Sequence, residues 1–333
     1  MTDRTSLAAK YLGLAMPSPI IVGSSGMTDS VEGVKVCAEA GAGAVVLKSL
    51  FEEQIAHEAD QTMAASEDPH WHPEAAEYIQ GYGAENAVGN YLRIIEGAKK
   101  AVDIPVIPSI HCSSSMSWSN FAKRAESAGA DAIELNIFTS PTAPNFTAAD
   151  NEKVYLDILA EVKKQVSVPV AIKLGPFFSS LHESLNRLSS KGADGLVLFN
   201  RFYQPDLDIE NFKVVAGPAL STPEEIGLSL RTIAQLSNQS TCDLCGSTGI
   251  HDGADVVKML LVGAKAVQVV SALYRHDIEY LAVMLEQVKT WMDAQGFENL
   301  ARFQGRMQQD NWPEGTAYDR VQFMRRTVEG RVS

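Results

Sequence analysis

Gly41-Ala42-Gly43-Ala44-Val45-Val46-Leu47-Lys48 joins a glycine and small residues to a short apolar run that ends on one polar group. The chain repeats this phrase from Gly129, Gly192 and Gly263, and those runs end on Asn136, Asn200 and Ser271. A glycine that closes a helix in the left-handed conformation, followed by a run too short and β-branched for a helix, predicts a helix-to-strand junction. Each strand then delivers a polar group at its C-terminal end. Where parallel strands are buried on both faces, that edge is where ligands bind and chemistry is done.

The phrases start 88, 63 and 71 residues apart, which is about two strand-helix units each. Intervening strands are expected at residues 18–23 (SPIIVG), 104–110 (IPVIPSI), 168–174 (VPVAIKL) and 240–246 (STCDLCG). Four and four make eight, and eight right-handed crossovers of this size close into an α/β (β/α)8 TIM barrel. Helices are expected from a cap at Asp29 to residue 40, and over 84–102, 117–128, 148–165, 179–190, 223–236, 252–261 and 277–294. Two connections are too long to be ordinary: residues 50–83 after strand two and 201–222 after strand six. Such insertions are functional loops or subunit contacts. With no Gly/Ser or Pro-rich linker, residues 1–333 read as one domain, with 297–333 as a helical C-terminal extension.

Composition narrows the class. The 333 residues are 45% hydrophobic, enough for one large core. A net charge of −13 excludes a phosphate-tracking nucleic-acid groove. No run has the length of a membrane helix, and the first residues lack a signal-peptide core, so a cytoplasmic protein is expected. Cys37, Cys112, Cys242 and Cys245 are too few for a disulfide framework. Cys242 and Cys245 lie on one strand, where positions three apart face opposite ways, so they are read as separate thiols. His70 and His72 have no carboxylate at suitable spacing, and no metal is expected.

The ends of the strands need a chemistry. Lys48 and Lys173 each follow an apolar run and bring an ammonium group to the mouth. A lysine there can form a Schiff base, bind phosphate or stabilise negative charge on a cofactor. Gly246-Ser247-Thr248-Gly249-Ile250 leaves strand seven and Ser271-Ala272 leaves strand eight. Barrels commonly bind phosphate with the loops after those two strands. His111, after strand three, also stands near the mouth as an acid, base or ligand contact.

Taken together, Tyr11-Leu12-Gly13-Leu14, Pro19 to Gly26 (PIIVGSSG), Val45-Val46-Leu47-Lys48-Ser49, Ile133-Glu134-Leu135-Asn136, Ile172-Lys173-Leu174, Leu198-Phe199-Asn200, Ser247-Thr248-Gly249-Ile250 and Val267 to Leu273 resemble the dihydroorotate dehydrogenase family in order and spacing. The resemblance implies an FMN-dependent barrel that oxidises dihydroorotate, or a related cyclic substrate, to the unsaturated product. It implies flavin contacts from Ser25, Gly26, Lys48, Ser49 and Asn136, with the charge of Lys173 favouring reduced flavin. It further implies a cradle for the ribityl phosphate from Ser221, Thr248, Gly249, Val270 and Ser271. Lys48, Asn136, Asn200 and Arg201 would face the substrate. A small-molecule substrate, a homodimer and an electron acceptor that the sequence does not name complete the expectation.

The departures from the family fall on the substrate side. After the strand-four asparagine the family has Asn-Leu-Ser-Cys-Pro-Asn or its serine version, whose Cys or Ser removes a proton from the substrate. Here the tract is Asn136-Ile137-Phe138-Thr139-Ser140-Pro141-Thr142. Without a gap Thr139 takes the base position, and with one inserted residue Ser140 does. A hydroxyl is a poor base without a partner or relay. The family's Asn-Ser-Met-Gly-Leu-Pro-Asn after strand two is replaced by residues 78–86 (YIQGYGAEN), and its Asn-Ser or Asn-Thr after strand six by Asn200-Arg201. Lost donors for a polar planar acid weaken its recognition. A barrel that keeps FMN but serves as a non-catalytic or partner subunit is therefore the alternative expectation.

Overall fold

A computed structural model describes residues 5–51, 73–111, 115–138, 146–202, 204–313 and 315–320. All eight expected strands are present: β1 (Ile20–Val22), β2 (Ala44–Val46, continued by Leu50–Phe51), β3 (Val106–Ile107 and Ser109–His111), β4 (Ile133–Asn136), β5 (Val170–Leu174), β6 (Gly195–Leu198), β7 (Asp243–Ser247) and β8 (Ala266–Val269). Every adjacent pair is parallel, and β8 returns to β1 with Val269 opposite Val22. Pro108, which has no N–H to donate, interrupts β3. Both halves pair with β2, and the second also pairs with β4, which closes the ring.

Alternation along the strands builds two cores. Outward residues such as Ile20, Ile172 and Leu196 pack against the helices, whereas Ile21, Val46, Ala171, Val197 and Cys245 fill the barrel interior. A hairpin, Ala9–Tyr11 with Leu14–Met16, plugs the N-terminal mouth by placing Tyr11, Leu12 and Met16 in that interior cluster. Cys245 is inside and Cys242 packs on the outer layer, so the two thiols face different cores.

The repeated phrase forms the expected junctions, with φ of 100°, 97°, 105° and 110° at Gly41, Gly129, Gly192 and Gly263. In two copies the aspartate that follows acts as a clamp. Asp131 accepts the Val106 N–H at 2.7 Å and pairs with Lys99, and Asp194 accepts the Val170 N–H at 2.7 Å and pairs with Lys163. Each start of a strand is thus tied to its neighbour.

The helices are α1 (Val31–Glu39), α2 (Pro73–Ala101), α3 (Ser115–Ser127), α4 (Ala148–Gln165), α5 (Leu181–Ser190), α6 (Ile226–Leu236), α7 (Gly253–Leu261), α8 (Ser271–His276) and α9 (Tyr280–Gln295). Ser30 rather than Asp29 caps α1, because Asp29 ends the preceding 3-10 turn and the Ser30 hydroxyl accepts the Gly33 N–H. The second helix starts eleven residues before the expected position. Gly81 and Gly83 favour a loop on local grounds, yet Pro73 is a favourable first helical residue and the glycines are accommodated. The insertion after β6 is an antiparallel hairpin, Pro205–Asp208 with Lys213–Ala216, almost wholly exposed. Beyond α9, which Gly296 closes with φ 74°, the described residues up to 320 form the 3-10 turns Leu300–Arg302 and Gly315–Asp319.

Candidate functional site

Towards the C-terminal mouth the barrel interior changes from apolar to polar. Lys173, Glu134 and Gln268 are 9%, 1% and 3% exposed, each two residues beyond an apolar inward residue on β5, β4 and β8. Lys173 Nζ donates to Gln268 Oε1 at 2.8 Å, and Gln268 Nε2 donates to Glu134 Oε2. Burial pushes the Cys245 thiol up and holds the Tyr11 phenol well above its ordinary range, so both face this layer uncharged. The floor of the mouth therefore carries a fixed ammonium group above a compensating carboxylate.

The loops after β1 and β2 meet through hydroxyls. Ser49 Oγ hydrogen-bonds Ser24 Oγ at 3.0 Å and Ser109 Oγ at 2.8 Å, and its N–H donates to Ser24 Oγ. The Gly26 N–H donates to Tyr274 Oη at 2.8 Å, and Lys48 is exposed on the rim. Across the mouth Asn200 Nδ2 donates to Asn136 Oδ1 at 2.8 Å. His111 Nδ1 donates to the Asn136 carbonyl at 2.7 Å while its ring meets Trp118 edge-on. That bond fixes the protonated ring nitrogen, because a carbonyl can only accept.

The loops after β6, β7 and β8 form the remaining wall. Thr248 and Gly249 both have positive φ, 72° and 79°, and Thr248 Oγ1 donates to the Phe199 carbonyl at 3.0 Å. The Ser221 N–H donates to Ser271 Oγ at 3.0 Å, its hydroxyl meets His251 Nε2 at 3.1 Å, and Arg275 donates to its carbonyl. Burial, then the neighbouring Arg275 charge, holds His251 below the usual imidazole range. Arg201 is engaged internally, by Nε with Glu225 and by Nη1 with the Pro218 and Ala219 carbonyls, which folds residues 218–225 over the cleft edge.

These walls enclose a cleft of about 350 Å³, within the ~300–1,000 Å³ of small-ligand sites. Of the expected residues, Ser25, Lys173, Asn200, Arg201, Ser221, Thr248, Gly249, Val270 and Ser271 line it together. Ser49 and Asn136 stand one hydrogen bond away, behind Ser24 and Asn200. Thr139 and Ser140 lie outside the described residues, as do Cys112, His70 and His72. The structure adds Ser24, Gln268 and Tyr274 to the lining and Glu134 and His251 behind it, none of which was expected there. A polar residue inside an apolar strand is the signal that marks Glu134 and Gln268, because burial without a partner is costly. Hydroxyls and backbone N–H groups at one end suit a phosphate, and Lys173 with the paired asparagine amides suits a polar ring at the other.

The dihydroorotate dehydrogenase family profile matches residues 6–292. Among similar proteins are the catalytic subunits of dihydroorotate dehydrogenase B (NAD(+)) from Thermoplasma volcanium and Thermoplasma acidophilum. The first is 27% identical over 311 residues, 90% of this chain and 98% of that protein; the second is 28% identical over 305 residues, 88% and 96%. The corresponding subunit from Methanosarcina mazei is 28% identical over 315 residues, 91% and 95%.

Proposed function

The chain belongs to the dihydroorotate dehydrogenase family, and from that premise we propose that it is an FMN-dependent oxidoreductase acting on dihydroorotate or a related cyclic substrate. The observation that carries the reading is Lys173, an ammonium group buried at the floor of a cleft whose far wall is built of hydroxyls and turn N–H groups. When bound, FMN supplies the two-electron chemistry, taking a hydride equivalent from the substrate.

The chain's own residues then bind and orient. Ser221, Thr248, Gly249, Val270 and Ser271 hold the phosphate, where positive φ at Thr248 and Gly249 turns the backbone to offer N–H groups. Ser25 bounds the ring from the cleft lining, and the family resemblance sets Gly26, Lys48, Ser49 and Asn136 beside it. Lys173 places positive charge where negative charge grows during reduction, which lowers the barrier. Asn200 and Asn136, already joined by one hydrogen bond, present their remaining amide groups to the substrate, and Lys48 and Arg201 limit its shape at the rim. Proton removal falls to Ser140 or Thr139, whichever hydroxyl reaches the substrate with a relay. The related proteins are named as catalytic subunits, which supports turnover over a purely binding role. Electrons leave to an acceptor outside this chain.

A homodimer through the hairpin after β6 goes with this reading, supported by the exposed Leu207, Phe212 and Val214. So does a cytoplasmic location, supported by the free thiols of Cys37, Cys242 and Cys245. The test is anaerobic mixing of the FMN-loaded protein with dihydroorotate. Loss of the oxidised flavin absorbance is expected. Unchanged absorbance would remove dihydroorotate as the substrate, and a colourless protein that takes up no added FMN would overturn the reading. Ser140→Ala and Thr139→Val, compared in the same assay, identify the base by which one abolishes bleaching.

A further inference from the structure

Glu134 and Gln268 are polar, buried and without a part in the proposed chemistry. A carboxylate only accepts hydrogen bonds and an ammonium group only donates, whereas a primary amide does one at each end. Gln268 lies between the two, with its Nε2 on Glu134 and its Oε1 on Lys173. Turning that amide over would set an NH2 against an ammonium and an oxygen against a carboxylate, two repulsive contacts in a region where unpaired polar groups are costly. The ends of the chain of hydrogen bonds therefore dictate the orientation of its middle.

We propose that Glu134 and Gln268 are positioning residues for Lys173: the Glu134 carboxylate orients the Gln268 amide, whose oxygen holds the ammonium group at the cleft floor. The proposal rests on the FMN reading for its consequence but not for its geometry. A direct Lys173–Glu134 pair would draw the ammonium group down into the barrel and neutralise it at contact. The amide spacer keeps the charge at the mouth and places its compensation one residue deeper. The other titratable groups near this hydrogen-bond chain are Cys245 of β7, Tyr11 of the N-terminal hairpin and Tyr91 of α2, all held uncharged by burial, and Asp243 at the opposite end, whose carboxylate accepts the Leu12 N–H at 2.8 Å. Glu134 is thus the carboxylate linked to Lys173 among the described residues. Its second oxygen, Oε1, is buried with no hydrogen-bond partner among them, so the Gln268 amide is the group that holds the carboxylate.

Two readouts test this on the full-length protein. In flavin-free protein with isotopically labelled lysine side-chain nitrogen, the Lys173 ammonium signal is assigned by its absence in Lys173→Met and its hydrogen exchange with water is measured. Glu134→Gln, which keeps shape and removes charge, and Gln268→Met are each expected to speed that exchange about tenfold, because the ammonium group loses its fixed acceptor. In FMN-loaded protein, Gln268→Met is expected to shift the ratio of oxidised to reduced flavin affinity about tenfold towards oxidised, a fall of about 30 mV for a two-electron couple. That shift has the same sign as the one from Lys173→Met. An unchanged Lys173 ammonium exchange in Glu134→Gln overturns the proposal, whether or not Gln268→Met folds. An unchanged potential in a folded Gln268→Met confines Gln268 to packing and overturns its positioning role. If the wild type takes up no FMN, the functional reading fails alone, and the lysine exchange still decides the network.

Discussion

At Gly249 the backbone turns with φ 79°, and a Cβ built there would lie 2.1 Å from the Ile226 nitrogen. Any side chain forces the turn after β7 away from the start of α6. Gly249→Ala is therefore expected to weaken FMN retention and to cost about 1–3 kcal/mol of stability, measured by flavin release on gel filtration and by denaturant unfolding. In the proposed function Lys173 differs from Gly249 in acting through charge rather than shape. Lys173→Ala is expected to slow flavin reduction by roughly 10²-fold or more while FMN stays bound, as followed by anaerobic rapid mixing. The two variants separate holding the cofactor from using it, and similar losses in both would contradict the division of the cleft into phosphate end and ring end.

Between a strand and its neighbour, the unit of construction is the Gly-Ala-Asp phrase. Its glycine ends the helix, its alanine packs beneath, and the aspartate reaches back to the first N–H of the preceding strand and to a lysine in the last turns of the helix that leads into that strand. The lysine pairs are partly exposed and contribute little of themselves. The N–H bond is the stronger contribution, because Val106 and Val170 are buried. Asp131→Ala is expected to cost about 1–3 kcal/mol by leaving the Val106 donor unpaired, and Lys99→Ala clearly less, by the same denaturant measurement. Elements of this kind are legible in the amino-acid order, because both periodicity and punctuation are local. At the start of α2 and the cap of α1 that legibility ends: glycines and competing caps leave two local solutions, and only the neighbouring segments choose between them.

On the scale of the molecule, the two mouths of the barrel do different work. The N-terminal mouth is plugged by Tyr11, Leu12 and Met16 and serves stability, whereas the C-terminal mouth gathers the polar strand ends and serves chemistry. Above the second mouth stands the hairpin after β6, with Phe212 94% exposed and Leu207 and Val214 also bare. If this apolar ridge is the dimer contact, Leu207→Glu with Phe212→Glu is expected to yield monomers in sedimentation velocity. Stability of the fold should stay within about 0.5 kcal/mol, the usual range for surface substitutions.

Sequence alone determined the eightfold barrel and the polar group at the end of each strand, because helix punctuation and strand alternation are written into neighbouring residues. Resemblance carried the family and the flavin side of the cleft, since Lys173, Thr248, Gly249 and Ser271 keep the family order. Only the tertiary structure decided which buried groups share one hydrogen-bond chain. Glu134, Lys173 and Gln268 come from β4, β5 and β8, and linear spacing says nothing about where an amide between two charges must point. Closure of the ring brings them together, and their opposite hydrogen-bonding capacities then set the arrangement.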